Sequence, residues 1–312
     1  MQLSDRIGRR MKLQDLHILM TVVQSGSMRK AAQSLNITQP AISRSVAELE
    51  HVFGVRLLER HRQGVETTEY GRALLDCGVA VFDELRQGVK NIEFIADPTT
   101  GRVRVGNTLT SASSFVASVV DRISRHHPHI VFHVVPGDAD ALHRELNERT
   151  VDLVICRGGG RFKDEPFNFE ILYDDSFVVL TSLQNRWARR RKIELAELIN
   201  EPWALPPPDN VAGAAAMEAF RASGLDYPRA TLFTTSAELR LTLLATGRFF
   251  TISASALQFL AKRPELKVLP VKLPMAHLPV GIVTLKSRTL GPVAKLFIQR
   301  AHEVAKSLTK RR

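Results

Sequence analysis

Between residues 38 and 53, polar and apolar side chains are arranged in a way that could read DNA. Gln39, Ser43 and Arg44 carry groups that donate hydrogen bonds to base edges and phosphates, and the compact Pro40 and Ala47 would not hold a helix off a major groove. Apolar residues recur at helical spacing at Ile42, Val46, Leu49 and Phe53. This pattern predicts a helix from about Gln39 to Val52 with one core face and one face toward DNA. It also suits a three-helix scaffold whose polar face is merely solvated.

The preceding residues predict two further helices that would hold this segment. Apolar residues at helical spacing indicate the first helix, namely Leu16, Leu19, Met20 and Val23. Gly26 ends that helix, Ser27 can cap the second, and the small Ala31-Ala32 pair lets another helix cross closely. After a tight turn at Asn36, Thr38 is a good N-cap for the third helix. Together these signals predict a helix-turn-helix.

Charge alone does not identify a partner. The 312-residue chain has a net charge of +11, which is compatible with a polyanion. Residues 1–66 contribute +4, residues 67–98 contribute −3, and residues 99–312 contribute +10. Most of the excess therefore lies outside the predicted DNA-reading segment. The basic runs 189–192 and 310–312 are interpreted as solvated charge.

Length and composition exclude several classes of protein. The length predicts two or three folded units, and no apolar run is long enough to cross a membrane. The N-terminus lacks the apolar core and cleavage site of a signal peptide, so we expect a cytoplasmic protein. Cys77 and Cys156 offer neither a disulfide framework nor a zinc site, and each is predicted to be a small buried residue in a reducing compartment.

Residues 11–75 resemble, along their whole length, the winged helix-turn-helix domain of LysR-type transcriptional regulators. The matching features are Ser27, Ala31-Ala32, Leu35, Thr38-Gln39-Pro40-Ala41, Ser43, Leu49-Glu50, Gly54, Leu57-Leu58-Glu59-Arg60 and Thr68-Glu69-Tyr70-Gly71. The family usually has Ala where Tyr70 stands and Phe where Leu58 stands. Its usual start aligns near Met11, so residues 1–12 are taken as an N-terminal extension or as sequence upstream of a start at Met11.

The resemblance implies DNA-contacting roles position by position. Gln39, Pro40, Ser43 and Arg44 would enter the major groove, and Arg44 is the best candidate for a guanine contact. The start of the second helix would lie beside phosphates, and the wing would lie near the backbone or minor groove. For each polar side chain a solvated surface role is about equally compatible with the sequence. The full predicted set is Ser27, Met28, Arg29, Lys30, Thr38, Gln39, Pro40, Ser43, Arg44, Arg60 and Arg62.

A long linker helix is predicted to follow the DNA-binding domain. No strong helix breaker occurs from residue 69 until Asp97-Pro98. A narrow apolar seam repeats every three or four positions, at Leu75, Gly78, Phe82, Leu85, Val89, Ile92 and Ala96. We favour a dimeric coiled coil over a helix packed on its own domain. A dimer would also set two recognition helices about one DNA turn apart.

The last two thirds of the chain alternate between strand and helix patterns. This alternation predicts parallel sheets covered on both faces and arranged in two similar α/β lobes. The region resembles the periplasmic-binding-protein-like effector domain of the same family. The predicted boundaries are 1–12 for the extension, 13–68 for the all-α winged helix-turn-helix domain, 69–97 for the linker helix and 100–312 for the effector domain.

Polar clusters at predicted strand ends indicate where a ligand would bind. In open α/β sheets, ligands bind outside the carboxyl ends of the strands and beside helix N-termini. Each cluster by itself could serve only as capping or turn chemistry. The resemblance implies that Thr110 stands where the family commonly carries a ligand-facing hydroxyl. It also implies that Arg157 falls on a strand end that faces the ligand in some aromatic-acid-sensing members. The predicted ligand-binding residues are Asn107, Thr108, Thr110, Ser111, Arg157, Pro206, Asp209, Thr235 and Ser236.

Catalysis and metal binding have little support in the sequence. His126, His127 and His129 flank a proline without a cluster of carboxylates or thiols, and no phosphate loop or nucleophile elbow occurs. A two-lobed enzyme would need such groups, and a solute-binding protein would need a signal peptide. We therefore expect a regulator without a cofactor, whose partners are double-stranded DNA, a small organic effector such as a carboxylate or hydroxylated metabolite, further copies of itself as dimer or tetramer, and RNA polymerase as a candidate.

Overall fold

A computed structural model of the chain describes residues 11–61, 64–108, 113–158, 162, 164–209, 211–254, 264–274 and 278–309. The chain divides into two compact units, Met1–Gly88 and Val89–Arg312.

Three helices and a two-stranded wing form the core of the first unit. The helices are α1 (Leu13–Ser25), α2 (Met28–Leu35) and α3 (Gln39–Phe53), and the antiparallel strands are β1 (Leu58–His61) and β2 (Gly64–Thr67). The long helix α4 (Glu69–Ala96) follows. One apolar cluster joins these elements, with Ile18, Leu19, Val22, Met28, Ala31, Ala32, Ile42, Val46, Leu49, Leu57 and Leu58 at its centre. The predicted apolar stripe of α3 is therefore confirmed as a core face.

Tight turns separate the three helices where the sequence predicts them. Gly26 and Gly54 end α1 and α3 in the left-handed region, with φ of 66° and 72°, and Asn36 ends α2 with φ of 54°. Thr38 caps α3 through its side chain, as predicted. The capping prediction for Ser27 is wrong in its detail. Ser27 occupies the N-cap position of α2 with an extended backbone, but its side chain makes no capping hydrogen bond.

The linker helix has two differently packed halves. In its first half, a Cβ added at Gly78 would lie 3.0 Å from Met20 Sδ, so α1 packs closely against α4. In its second half, Leu85, Val89 and Ile92 are between 48 and 69% exposed. The first part of the predicted seam thus packs within its own domain, and only the second part is free in a single chain.

The first lobe of the second unit is a five-stranded sheet with helices on both faces. The strands lie in the order β4 (His129–Gly137), β3 (Thr100–Thr108), β5 (Leu153–Arg157), β12 (Leu278–Leu285) and β6 (Phe167–Asp175). Helices α5 (Ser113–Ser124) and α9 (Pro292–Thr309) share one apolar cluster with the sheet, and α6 (Ala139–Asn147) belongs to the cluster on the other face.

The second lobe contains β7 (Phe177–Ser182) between β10 (Thr251–Ala254) and β11 (Leu266–Val268), and a parallel pair of β8 (Trp203–Leu205) and β9 (Ala230–Phe233). A parallel bridge between Trp203 and Phe250 connects the two groups of strands. Helix α7 (Val211–Ala222) packs in one apolar cluster and α8 (Ala237–Ala245) in another. Residues Arg186–Arg189 and Leu195–Leu198 form short 3₁₀ helices.

The two-lobed α/β architecture is confirmed, but the sheets are mixed rather than parallel. Strand β12 is antiparallel to β5 and β6, and β7 is antiparallel to β10 and β11. The reason is that the chain passes between the lobes twice, at β6–β7 and before β12, so each lobe receives a strand running in the opposite direction. Cys156 is buried as predicted, whereas Cys77 is exposed on α4, which corrects its predicted burial.

Candidate DNA interface and effector site

The outer face of α3 presents the side chains that the sequence assigned to DNA. Gln39, Pro40, Arg44 and Ala47 are exposed, while the apolar stripe on the other side of the helix is buried. The helix is fixed at its start because the Thr38 hydroxyl accepts a hydrogen bond from the Ala41 N–H at 3.4 Å. A capped helix with a flat, polar outer face has the shape that a major groove admits.

Ser43 and Met28 join α3 to the start of α2. The Ser43 hydroxyl is half-buried and lies 3.5 Å from Met28 Sδ, to which it donates. Met28 is 6% exposed and belongs to the apolar core. The assignment of Met28 as a DNA contact is therefore corrected, because a buried thioether cannot reach a phosphate.

Basic side chains are exposed on two elements that share the apolar core of α3. Arg29 and Lys30 are exposed in the first turn of α2, and Arg60 is exposed on β1. Within the described residues, neither they nor Arg44 form an ion pair or a side-chain hydrogen bond, so these cations remain available to an external anion. Arg62 lies outside the described residues.

Glu50 positions the wing, a role that the sequence analysis did not assign. Its Oε1 accepts hydrogen bonds from the N–H groups of Leu57 and Leu58, at 2.8 and 3.3 Å. On the other side of the wing, the Val65 N–H donates to the Gly26 carbonyl at 3.1 Å. The Leu49-Glu50 pair was visible in the sequence only as part of the family resemblance, because nothing local indicates a contact seven residues away.

The base of the wing also requires a glycine. The Thr68 hydroxyl donates to the Arg56 carbonyl at 2.7 Å and accepts from the Gly71 N–H at 3.0 Å. A Cβ at Gly71 would lie 2.0 Å from the Leu57 carbonyl oxygen, so only glycine permits this approach of α4.

In the second unit, the first-lobe residues predicted to bind a ligand lie at the carboxyl edge of the sheet. Asn107 is buried and Thr108 half-buried at the end of β3, which is parallel to both β4 and β5. Arg157 ends β5 at the same edge. Thr110 and Ser111 lie outside the described residues.

Arg157 is already engaged in a buried ion pair. Its guanidinium contacts the Asp175 carboxylate, and both side chains are buried. The same guanidinium lies 5.1 Å from the ring centroid of Phe177. Beside this pair, burial and the Asp175 charge raise the pKa of the Tyr173 hydroxyl, and the Arg157 charge opposes the rise. The arrangement links the end of β5 to the passage between the lobes.

The second-lobe residues also lie at carboxyl strand ends. Pro206 is buried and Asp209 exposed in the loop after β8. Thr235 and Ser236 are exposed after β9, and the Ser236 hydroxyl caps α8 by accepting from the Leu239 N–H at 3.1 Å. A glycine that the sequence analysis did not single out sits here: a Cβ at Gly213 would lie 1.9 Å from the Pro207 carbonyl oxygen.

The strand registers bring both edges to the passage between the lobes. Ala254, the last residue of β10, pairs with Phe177, the first residue of β7. Since β8, β9 and β10 are mutually parallel, their carboxyl ends lie at that edge. Arg157 contacts the same Phe177 from the first lobe. Ligand-site chemistry from both lobes therefore borders one region.

Neither metal-binding nor membrane-spanning features were found in the part of the chain that the structure describes. No group of three or more His, Cys, Asp or Glu residues there could hold a metal ion. No helix there is long and apolar enough to cross a membrane.

Two family descriptions match the chain and together cover nearly all of it. Residues 13–72 match the bacterial regulatory helix-turn-helix proteins of the lysR family. Residues 96–306 match the LysR substrate binding domain. The chain belongs to the LysR family. It is a DNA-binding transcriptional regulator with a substrate-binding domain, and the proteins of this family are regulators rather than enzymes.

Curated relatives of this LysR-type regulator match along most of their length. The HTH-type transcriptional regulator GbpR of Azospirillum brasilense is 25% identical over 288 residues, covering 92% of this chain and 84% of that protein. The transcriptional dual regulator GltC of Bacillus subtilis is 26% identical over 298 residues, covering 93 and 96%.

Solved structures of full-length regulators have the same fold. A full-length OxyR variant from Pseudomonas aeruginosa gives a TM-score of 0.64 at 20% identity, with 95% of each chain covered. Full-length CbnR complexed with its target DNA gives a TM-score of 0.54 at 19% identity, covering 95% of this chain and all of that one. At these identities the likeness establishes the fold of the LysR-type regulator.

Proposed function

We propose that this regulator reads double-stranded DNA with the outer face of α3. Gln39, Ser43 and Arg44 contact base edges in the major groove, and the small Pro40 allows the start of the helix to enter the groove. The observation that supports this assignment is the combination of exposure and packing: Gln39 and Arg44 are exposed and Ser43 is half-buried, while Ile42 and the apolar stripe hold the helix in the core. Arg44 makes the most specific contact, because guanidinium binds guanine in a bidentate manner.

Arg29, Lys30 and Arg60 bind phosphates and fix the register of the domain on the duplex. Their charges are not neutralised by ion pairs within the described chain, so binding DNA releases counterions without first breaking salt bridges. Ser27 contributes at the start of α2, where the N–H groups of the first helical turn can bind a phosphate. Arg62 is assigned to the wing on the sequence alone.

Control by a small organic effector is proposed at the carboxyl edges of the two lobes. The residues assigned there are Asn107, Thr108, Thr110, Ser111, Arg157, Pro206, Asp209, Thr235 and Ser236. Support comes from the strand registers that place both edges beside Phe177. A ligand can change DNA binding only if it binds two arrangements of the protein with unequal affinity, and a difference of about 1–3 kcal/mol is enough.

The regulator is proposed to act as a dimer or tetramer in the cytoplasm. Leu85, Val89 and Ile92 are exposed on one seam of α4, and a second α4 would cover them in a coiled coil. Such a dimer would place two α3 helices on successive major grooves. RNA polymerase is a further proposed partner, consistent with a role in transcription.

An electrophoretic mobility-shift experiment on the upstream region of the regulator's own gene tests the DNA-binding surface. The wild-type protein should form a sequence-preferring complex that weakens steeply with salt. Arg44→Glu should abolish this complex, because it places a negative charge against base edges and phosphates. Arg248→Glu is the matched control, since Arg248 is exposed in the second unit and makes no ion pair with the described residues.

The result distinguishes an outer face of α3 that reads DNA from one that is only exposed to solvent. If Arg44→Glu and Arg248→Glu bind the upstream DNA equally well, the outer face of α3 does not read DNA. Folding is checked by comparing the melting temperatures of the two variants, which should match because both arginines are exposed.

A further inference from the structure

Arg240 is a buried cation for which the fold supplies no counterion among the described residues. It lies on α8, and only 3% of the residue is exposed. Its single hydrogen bond within the described chain runs from one guanidinium nitrogen to the Thr234 carbonyl oxygen, at 2.7 Å. By contrast, the buried Arg157 and Arg288 each contact a carboxylate, that of Asp175 or Asp152. Among the described residues, Arg240 therefore differs from these two buried arginines in having no carboxylate partner.

The surroundings of Arg240 make its charge more unfavourable. Side chains of a helix tilt toward its N-terminus, and the contact with Thr234 places the guanidinium at the N-terminal end of α8. That end carries the positive pole of the helix dipole, so it favours an anion and disfavours a second positive charge. Burial acts in the same direction, and it lowers the pKa of the Arg240 guanidinium below its ordinary value.

Nearby carboxylates do not compensate this charge. Glu238 is in the first turn of α8 and Asp209 follows β8 at the same sheet edge, but both are exposed. Neither forms an ion pair with Arg240 in the described structure. Among the described residues, one carbonyl oxygen accepts from only one of the several N–H donors of the guanidinium, and burying a charge with so few partners is costly.

The position of Arg240 points to the ligand that would compensate it. Thr234 directly follows β9, so the guanidinium lies at the carboxyl edge of the second lobe, beside the exposed Thr235 and Ser236. We propose that Arg240 binds a carboxylate group of the effector, which makes the ligand of this regulator a small organic acid. This inference rests on the proposed effector site. One guanidinium with one helix N-terminus matches a singly charged carboxylate better than a doubly charged phosphate.

The test is a thermal-shift experiment on the full chain with acids and their neutral analogues. Acetate, succinate and benzoate are each compared with the corresponding amide, and glucose serves as a neutral hydroxylated compound. At least one acid should raise the melting temperature while its amide does not. Arg240→Gln should weaken binding of that acid by about tenfold or more, because it removes the charged donor fork. Arg240→Lys should retain part of the affinity.

The control variant is Arg248→Gln, which removes the same charge from an exposed site near the C-terminal end of α8 and should leave acid binding unchanged. A second measurement needs no ligand. If Arg240 is held for a ligand, Arg240→Gln without added acid should melt at the wild-type temperature or above it, since an uncompensated buried charge is removed. If Arg240 instead serves the fold, that variant should melt well below the wild type.

Three results would overturn the inference. The first is that none of the acids raises the melting temperature. The second is that an acid binds Arg240→Gln as tightly as it binds the wild type. The third is that Arg240→Gln is strongly destabilised without ligand. If glucose or an amide stabilised both the wild type and Arg240→Gln, the protein would have an effector site, but the effector would not be bound through a carboxylate at Arg240. Failure of the effector site itself would appear differently, as an acid that binds without changing the affinity of the protein for DNA.

Discussion

Removing the Glu50 side chain should loosen the wing although Glu50 itself need not touch DNA. In Glu50→Ala, the N–H groups of Leu57 and Leu58 lose an acceptor at 2.8 and 3.3 Å, and both of these residues are buried. Each hydrogen bond to a charged group contributes about 1.5–3 kcal/mol, and a buried donor left without a partner costs a similar amount. Because one carboxylate oxygen serves both donors and Glu50 is half-buried, we expect a loss of about 2–4 kcal/mol in the free energy of unfolding of the first unit.

Two measurements check this expectation. Denaturant unfolding followed by circular dichroism reports the stability loss, and the mobility shift reports DNA affinity, which should fall by about tenfold as Arg60 loses its fixed position. Glu50→Gln is the matched variant. It keeps an acceptor oxygen without the charge, so it should lose about half as much stability.

Glu50 would have no part in stabilising the wing if Glu50→Ala and Glu50→Gln unfolded at the wild-type denaturant concentration. If Glu50→Ala were destabilised but bound DNA with wild-type affinity, the wing would have no part in the DNA interface.

Three further predictions concern helix capping, the buried ion pair and the linker helix. Thr38→Ala should lower the stability of the first unit by about 0.5–1 kcal/mol, and Thr38→Ser should restore most of it, as measured by denaturant unfolding. Arg157→Leu or Asp175→Leu alone should lower the free energy of unfolding of the second unit by about 3–5 kcal/mol, because each leaves a buried charge without its partner. The double variant should recover much of this loss, and additive losses would contradict the pairing. Val89→Asp should reduce the molar mass measured by light scattering, whereas an unchanged mass would exclude the exposed α4 seam as a subunit contact.

The elements of the first unit were predictable because their signals are local. The apolar stripe of α3, the Thr38 cap and the glycine after each of α1 and α3 depend on residues within a few positions of one another. Met28 shows the limit of this reasoning. Its place at a helix start suggested DNA contact, but the crossing of α2 and α3 turns its side chain into the core.

The linker seam shows how a correct periodicity can have two uses. Spacing alone predicts which residues of α4 share a face, and from it the whole seam was predicted to form a dimeric coiled coil. In the structure, Gly78 lies against α1 while Val89 is exposed, because the second half of the helix packs on the second unit through residues outside the seam, such as Phe94. The predicted dimer therefore concerns the second half.

By itself the sequence determined the helix-turn-helix, the length of the linker helix, the two α/β lobes and membership of the LysR family, because periodicity, caps and family motifs are properties of neighbouring residues. Tertiary structure decided the direction of the strands, the anchoring of the wing by Glu50 and the different states of two buried arginines. Arg157 meets Asp175 from a distant strand, whereas Arg240 meets only a carbonyl oxygen among the described residues. Whether a buried charge has a partner depends on residues far apart in the chain, and no local pattern contains that information.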